Sequence, residues 1–248
     1  MRTLATGVIA LSIIFLMQPF KLHAATMTNA ASASMRNKHH VPPTYRGKPL
    51  SFYVVQSRTP NVRAESIRSI GNFGPEAVPA LAQLVEGLRD SQVEVRIASA
   101  WALSQVGRAG NEAAVKALAQ SLADENPKVR SLSAVALRGV GRGAVGAVPA
   151  LISALSDSAH YVRAPAADAL GNIGPAARAA VGPLIERLRV KDEQTFVLRS
   201  VATALGNIGP DAQSALPALT EILKMTRISY AAQEAILRIT GKPVPSYW

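Results

Sequence analysis

The chain of 248 residues is 48% hydrophobic and only 5% aromatic, and it contains no cysteine, which excludes disulfides, thiolate metal sites and a cysteine nucleophile. Its net charge of +11 is concentrated ahead of residue 62, because residues 62–248 carry twenty basic and sixteen acidic side chains. A nucleic-acid-binding domain concentrates positive charge on its folded surface, so this distribution argues against a nucleic-acid partner.

The N-terminus has the order of features found in a secretory signal peptide. Arg2 precedes an apolar run from Leu4 to Met17, and small residues follow at Ala24 and Ala25. An uncleaved membrane anchor is the alternative, but about fourteen apolar residues are fewer than the roughly twenty needed to span hydrocarbon. We therefore predict that residues 1–25 are removed and that the mature protein is exported, periplasmic or secreted, without stable membrane insertion.

Residues 26–50 lack a hydrophobic period and carry Arg36, Lys38, Arg46 and Lys48 with no acidic residue. This composition predicts a flexible basic leader. The repeat domain is expected to occupy residues 51–248. Its first apolar segment would cover one open end of the stack, and the tail with Tyr247 and Trp248 would cover the other.

A glycine recurs where each helix-like segment ends, with spacings of 33, 34, 33, 35 and 32 residues, at Gly74, Gly107, Gly141, Gly174, Gly209 and Gly241. A fixed period of this length predicts a solenoid, in which each unit buries its apolar face against its neighbours. The segments before the glycines predict A helices near 62–71, 94–105, 128–139, 161–171, 195–206 and 229–240. The segments after them predict B helices near 76–89, 111–122, 145–156, 177–189 and 212–224, because apolar residues recur there at helical spacing.

Three further residue types recur in the units. They are a proline early in helix B, an aspartate in the turn between units and an arginine that opens the next A helix, at Pro79, Pro149, Pro183 and Pro217, at Asp90, Asp124, Asp157 and Asp192, and at Arg96, Arg130 and Arg163. In these residues the units resemble HEAT repeats, particularly the short bacterial kind found in phycobilin lyases, over about residues 62–241. The resemblance implies an all-α, right-handed α-solenoid of about five HEAT-like helix pairs plus a terminal helix, an armadillo-like scaffold that binds proteins.

The recurring aspartates and arginines are six residues apart across a tight turn, so that Asp90 can meet Arg96, Asp124 can meet Arg130 and Asp157 can meet Arg163. Each guanidinium can also reach the carbonyls of a neighbouring turn. We predict a structural ladder along one edge, because regular recurrence favours that role over the alternative of binding an anionic ligand. Leu198 stands where the next arginine is expected, which predicts a kinked or looser fourth junction.

Candidate catalytic and metal-binding residues are few. His39 and His40 lie in the leader and His160 in a predicted turn, where a solvated loop is a simpler interpretation than a metal site. Asp168 and Glu186 are isolated carboxylates, and no phosphate-binding glycine motif, serine elbow or metalloprotease helix occurs in the sequence. The sequence therefore predicts a protein that is not an enzyme and uses no cofactor or metal.

The repeats do offer a surface for a partner. The position 12 or 13 residues after each glycine points away from the buried arc of helix B, and it holds Glu86, Gln120, Ser153, Glu186 and Glu221, with Arg187 beside them. The resemblance implies that the B helices line the concave side, and a basic or polar protein segment would suit this mildly acidic strip. Trp101 is a further candidate, either as an exposed anchor for a partner or as part of the core.

Three functions remain open at this point. The first is an exported scaffold that binds a protein through the concave strip, as a monomer or within a hetero-complex. The second is a tetrapyrrole-lyase-like protein, suggested only by the repeat subtype and opposed by the signal peptide. The third is an envelope-associated structural protein whose basic leader contacts anionic lipid or polysaccharide.

Overall fold

The computed structural model describes residues 43–106, 112–191, 193–224 and 228–243. The predicted signal peptide, residues 26–42 of the predicted leader, Asp192 and the predicted C-terminal cap at Tyr247 and Trp248 lie outside these ranges.

The described residues form twelve α-helices and one hairpin. Helix α1 (Leu50–Gln56) precedes six A helices, which are α2 (Arg63–Gly71), α4 (Val93–Val106), α6 (Pro127–Val140), α8 (His160–Ile173), α10 (Thr195–Ile208) and α12 (Ser229–Thr240). The B helices between them are α3 (Leu81–Gly87), α5 (Glu112–Ser121), α7 (Val148–Ala154), α9 (Val181–Leu188) and α11 (Leu216–Ile222). Each A helix packs against the next A helix, and each B helix packs against the A helix that follows it. The predicted all-α solenoid of five helix pairs and a terminal helix is confirmed.

The A helices approach one another closely because small residues lie between them. A Cβ added to Gly171 would lie 2.9 Å from the Cα of Ala204, and one added to Gly206 would lie 2.8 Å from the Cα of Ala235. Helices α8 and α10 contact each other more extensively than any other two neighbouring A helices of the described residues, so the prediction of a looser junction there is wrong. Leu198 is itself buried, and its side chain fills the junction as an apolar core residue.

The first part of four B segments is a 3-10 helix, where the periodicity predicts an α-helix throughout. These 3-10 helices are Gly74–Ala80, Gly141–Ala147, Gly174–Ala180 and Gly209–Ala215. In three of these segments, Pro149, Pro183 and Pro217 stand in the first turn of the following α-helix. Because proline lacks an N–H, it cannot extend α-helical hydrogen bonding back into the preceding segment.

The glycine that opens each 3-10 helix has a φ between 56° and 81°. This conformation is strained for any residue with a Cβ. At Gly141, Gly174 and Gly209 it also caps the C-terminus of the preceding A helix. These four glycines are therefore required by the backbone of their turns.

Residues 44–49, predicted as part of the flexible leader, form an antiparallel hairpin of β1 (Thr44–Tyr45) and β2 (Lys48–Pro49). The turn residues Arg46 and Gly47 have φ values of 49° and 72°, as a tight two-residue hairpin turn requires. The predicted leader is thus corrected at its C-terminal end, where the chain is ordered against the first repeat.

An aromatic cluster holds this hairpin on the first repeat. The rings of Tyr45, Tyr53 and Phe73 lie with centroids 6.0–6.4 Å apart, and the Tyr53 hydroxyl donates a hydrogen bond of 2.9 Å to the Tyr45 carbonyl. Tyr53 belongs to α1, which packs against α2. Helix α1 therefore covers the open end of the stack, as the apolar segment 51–56 predicts.

One described stretch, Pro127–Ala154, is long and apolar enough by length and composition to cross a membrane. It comprises α6, the 3-10 helix that follows it and α7. Side chains from all three parts belong to the buried core, among them Leu137, Ala144 and Leu151. Burial between neighbouring repeats accounts for its apolar composition.

Candidate functional site

The strip predicted on the B helices is exposed along its whole length. Glu86, Gln120, Ser153, Glu186 and Glu221 all lie at the surface, one on or beside each B helix. The side chains of Glu86 and Glu186 are 72% and 74% exposed. Because successive B segments, each with its 3-10 helix where one is present, contact one another, these five residues form a line across the repeats, which we call the B strip.

A row of exposed cations accompanies the B strip, and the sequence reasoning missed it. Each of these cations stands three residues after a glutamate of the strip, and they are Arg89, Arg189 and Lys224. Arg189 Nη1 lies 3.3 Å from Glu186 Oε1, and Arg89 donates a hydrogen bond of 3.2 Å to Gln120. The available signal was the recurrence of a basic residue 15 positions after three of the glycines.

Arg63, at the start of α2, also faces the strip, and its Nη2 lies 3.0 Å from Oε1 of Glu86. Glu86 thus has a cationic partner on α2, and Glu186 has one in its own B segment. The B strip is therefore balanced in charge, whereas the sequence predicts a mildly acidic surface.

A cavity of about 650 Å³ opens between α3 and α5 at the first unit of the B strip. Leu81, Ala82 and Val85 form its apolar part, and Glu86 and Arg89 stand at its charged rim. Pockets of this volume accommodate small ligands or individual side chains of a bound segment. The strip therefore has one place where an apolar group could be inserted.

Arg187 does not belong to the exposed strip. Its side chain is only 18% exposed, and its Nη1 lies 3.0 Å from Oε2 of Glu193. The side chain of Glu193 is completely enclosed and also meets Arg163, with Nη2 2.7 Å from Oε1. The predicted surface position of Arg187 is thus corrected, because a buried carboxylate between two repeats binds its guanidinium.

Ion pairs between arginines and carboxylates run along one edge of the stack, but each of them joins two successive repeats. Arg96 Nε lies 2.8 Å from Asp124 Oδ2, and Arg130 Nε lies 2.6 Å from Asp157 Oδ2. The sequence predicts ion pairs within one turn, namely Asp90 with Arg96, Asp124 with Arg130 and Asp157 with Arg163. This prediction is wrong, because each of these arginines pairs with the carboxylate of the following repeat.

The same guanidinium also serves its own turn. Arg96 Nη1 donates hydrogen bonds of 3.0 and 3.2 Å to the carbonyls of Asp90 and Ser91, and Arg163 Nη1 donates to the carbonyl of Asp157 at 2.7 Å. The planar guanidinium has five donors, so it can bind carbonyls on one side and a carboxylate on the other. Each arginine and its carboxylate partner form one rung of the ladder. The arginine of a rung closes its own turn and joins that turn to the next repeat.

The ladder extends beyond the predicted residues at both ends. Arg63 Nη1 lies 3.1 Å from Asp90 Oδ2 at one end, and Glu193 takes the carboxylate position at the other. Asp192, which the sequence places in that turn, lies outside the described residues. The unit ending at Gly209 is the longest at 35 residues, and the longer side chain of glutamate reaches the arginine of the preceding repeat.

Two carboxylates of the ladder, Asp157 and Glu193, are held in the charged form. Burial by itself raises the pKa of Asp157, but hydrogen bonds from the Arg130 side chain and the Ala159 amide outweigh this effect and leave the pKa below its usual value. Burial likewise raises the pKa of Glu193, and hydrogen bonds from its arginine partners and from a backbone amide bring it below the usual value. The contacts of Asp157 with Arg130 and of Glu193 with Arg163 are thus ion pairs at neutral pH.

The sequence profile of HEAT repeats matches residues 49–138 and 148–239, which together are most of the chain. The chain belongs to the HEAT-repeat family. No curated protein shows significant similarity to this HEAT-repeat chain.

Several solved structures are similar to this HEAT-repeat chain. An engineered protein has a TM-score of 0.65 at 24% identity and covers 77% of this chain and 96% of its own. A designed armadillo repeat protein in complex with the peptide (KR)4 has a TM-score of 0.63 at 20% identity, over 77% of this chain and 99% of its own. The complex of CpcE and CpcF of phycocyanin lyase from Nostoc sp. PCC7120 has a TM-score of 0.57 at 28% identity, over 65% of each chain. The repeats are thus HEAT-like units of the phycobilin-lyase type.

Trp101 is half-buried on α4 of the HEAT stack. The sequence offers two alternatives, an exposed anchor or a core residue, and each of them describes part of the ring. The ring packs against the core and covers Gly71, where an added Cβ would lie 2.5 Å from Trp101 Cζ3. The rest of the side chain lines a cavity on the side of the A helices.

Two of the candidate catalytic residues, His160 and Asp168, make contacts that are typical of a folded repeat surface, and His39 and His40 lie outside the described residues. His160 is the first residue of α8, where the sequence predicts a turn, and its ring lies edge-on to Tyr161 and Phe196 with centroids 5.6 and 5.5 Å away. Asp168 pairs with Arg138 at 3.4 Å. Within the described ranges, no group of three or more metal-ligating side chains comes together.

Proposed function

We propose that this protein is an exported, non-catalytic scaffold that binds a protein partner through the B strip. The observation that carries the proposal is the exposure of one helical position on five successive B helices. Repeats bury their inner faces against one another, so this outer column is free to contact a ligand. The HEAT family resemblance implies that the column faces the concave side, and its length would accommodate an extended segment.

The charge of the B strip favours a polar protein segment over a strongly basic one. Glu86 and Glu186 already face Arg63 and Arg189, so a basic peptide would compete with those arginines for the same carboxylates. The designed armadillo protein that binds (KR)4 and the CpcE–CpcF complex are precedents for protein ligands on related folds. We infer a segment rich in hydrogen-bonding side chains, with one apolar side chain in the cavity beside Val85.

The role of the B strip is tested by reversing the charge of its glutamates and expressing the variant in the organism from which the protein comes. We expect the triple variant Glu86→Lys, Glu186→Lys and Glu221→Lys to lose a partner that co-purifies with the wild-type protein after cross-linking. Far-UV circular dichroism would establish that the variant is folded.

The matched control places three lysines at exposed acidic positions near the beginning of B segments. The control variant carries Glu76→Lys, Glu112→Lys and Asp211→Lys, so its change in net charge is the same. It should retain every partner. If the strip variant folds and also retains every partner, the B strip is not the binding surface.

Export has its own test, because it depends only on residues 1–25. We expect the protein recovered from the periplasm or medium to begin at residue 25 or 26, as measured by intact mass and N-terminal sequencing. A full-length chain confined to the cytoplasm would contradict export while leaving the binding proposal intact.

Handling of a tetrapyrrole is a second candidate, favoured by the similarity to the CpcE–CpcF complex. It predicts that the purified protein binds a linear tetrapyrrole with a change in visible absorbance. An unchanged spectrum on titration would remove this candidate.

A further inference from the structure

A second candidate surface lies on the A helices, separate from the B strip. A cavity of about 440 Å³ is formed by α2, α4 and α6, with the N-terminal hairpin at one end. Ile97, Ala98, Trp101 and Leu132 form its apolar part. This volume is within the range of pockets that bind a small ligand or a side chain of a peptide.

Trp101 makes this cavity specific to the second repeat. The equivalent A-helix positions of the other repeats carry small, branched or charged residues, namely Arg68, Val135, Asp168 and Thr203. Gly71 leaves room for the indole, since a Cβ there would lie 2.5 Å from it. The indole therefore lies against the backbone of α2 and provides an aromatic surface at the cavity.

The rim of the cavity is positively charged. Arg46, Arg68 and Lys128 line it and are exposed, and Glu65 is the acidic residue among the lining side chains. Among the residues that the structure describes, none of these three cations forms an ion pair. This differs from the B strip, where arginines already stand beside the glutamates.

The hairpin turn fixes one of these cations at the rim. Arg46 has a φ of 49° and is the one non-glycine residue with a positive φ in the described ranges. Its guanidinium lies 5.4 Å from the centroid of the Tyr45 ring, and Tyr45 is held by the hydrogen bond from Tyr53.

We propose that this cavity binds an acidic segment of a partner protein, in which one large apolar side chain contacts Trp101 and flanking carboxylates contact Arg46, Arg68 and Lys128. The charge complementarity selects this occupant. The basic residues 26–42 of the chain itself, with Arg36 and Lys38 and no acidic side chain, would be repelled by the same rim.

The experiment selects peptides from a random display library on the full mature chain. We expect the enriched peptides to combine an aromatic or large aliphatic residue with neighbouring aspartates or glutamates. One such peptide, made synthetically, should change the fluorescence of Trp101 in a Trp248→Phe background, in which Trp101 is the remaining tryptophan. Enrichment of basic or uncharged peptides would overturn the proposal.

A charge-reversal variant locates the binding site without disturbing the core. Arg68→Glu combined with Lys128→Glu should lower the affinity for the synthetic peptide by about tenfold or more. The matched control, Arg142→Glu combined with Arg199→Glu, changes exposed arginines elsewhere and should leave the affinity unchanged. Equal affinity in both variants would overturn the proposal, and so would self-association in sedimentation that only the rim variant abolishes, since the occupant would then be a second copy.

Discussion

Arg130 lies at the start of one repeat and binds Asp157 of the next, with Nε 2.6 Å from Oδ2 and Nη2 2.9 Å from Oδ1. Its Nη1 simultaneously donates to the carbonyls of Asp124 and Glu125 in its own turn. One side chain thus satisfies the polar groups of two turns that would otherwise be left unpaired at the edge of the core. The ladder ties each repeat to its successor by a polar contact, in addition to the apolar contacts of the A helices.

The first prediction concerns this rung. We expect Arg130→Met to lower the free energy of unfolding by about 3–5 kcal/mol, because the carboxylate of Asp157 would remain buried without its partner. Urea denaturation followed by far-UV circular dichroism measures the change. Arg138→Met is the control, since its pair with Asp168 is more exposed and should contribute about 0–1 kcal/mol. Equal losses in the two variants would contradict a special role for the ladder.

The second prediction is a pH dependence that arises from Glu193. Its pKa in the folded protein is lowered, so the stability it contributes is present above the ordinary pKa of an unfolded glutamate and is lost as the pH falls through the folded pKa. We expect the free energy of unfolding of the wild type to decrease below about pH 5, and that of Glu193→Gln to decrease less steeply. Urea titrations over this pH range test the prediction, and identical slopes would contradict it.

The third prediction tests the close approach of the A helices. Gly171→Ala would place a Cβ 2.9 Å from the Cα of Ala204, so we expect a loss of about 1–3 kcal/mol from overpacking. Gly182→Ala is the control, because a Cβ there meets nothing within 4 Å. It should stabilise the protein by about 0.5–1 kcal/mol through helix propensity. Thermal and urea unfolding measure both variants, and a neutral Gly171→Ala would show that the helices can separate freely.

The fourth prediction concerns the N-terminal hairpin. Tyr53→Phe removes the hydroxyl that donates to the Tyr45 carbonyl, and we expect a local loss of about 0.5–1.5 kcal/mol. Contacts in a solenoid are made only between neighbouring units, so the effect should be confined to the first repeat. Hydrogen exchange should accelerate at residues 44–49 and remain unchanged in α10. Faster exchange throughout the chain would argue against this independence.

The A helices were predicted to within two residues of their observed bounds, and α12 at 229–240 coincides with its prediction. Their pattern is local, since alanine and leucine at three- and four-residue steps are needed in every unit. The B segments were predicted less well, because the prolines in the first turns of their α-helices interrupt α-helical hydrogen bonding and leave a 3-10 helix before them. The hairpin was missed because aromatic side chains stabilise it from other segments.

The sequence by itself determined the number of units, the place of each A helix and the exposed position on each B helix, because these follow from contacts that repeat with the period of the chain. Only the tertiary structure decided which groups meet across that period. Arg96 binds the carboxylate of Asp124, 28 residues away. From Asp90, six residues away, it binds the backbone carbonyl and not the carboxylate. The enclosure of Glu193, the balanced charge of the B strip and the cavity at Trp101 were decided in the same way. These features depend on how far a side chain reaches from one turn to the next. The spacing of residues within one unit does not contain the distance between adjacent turns.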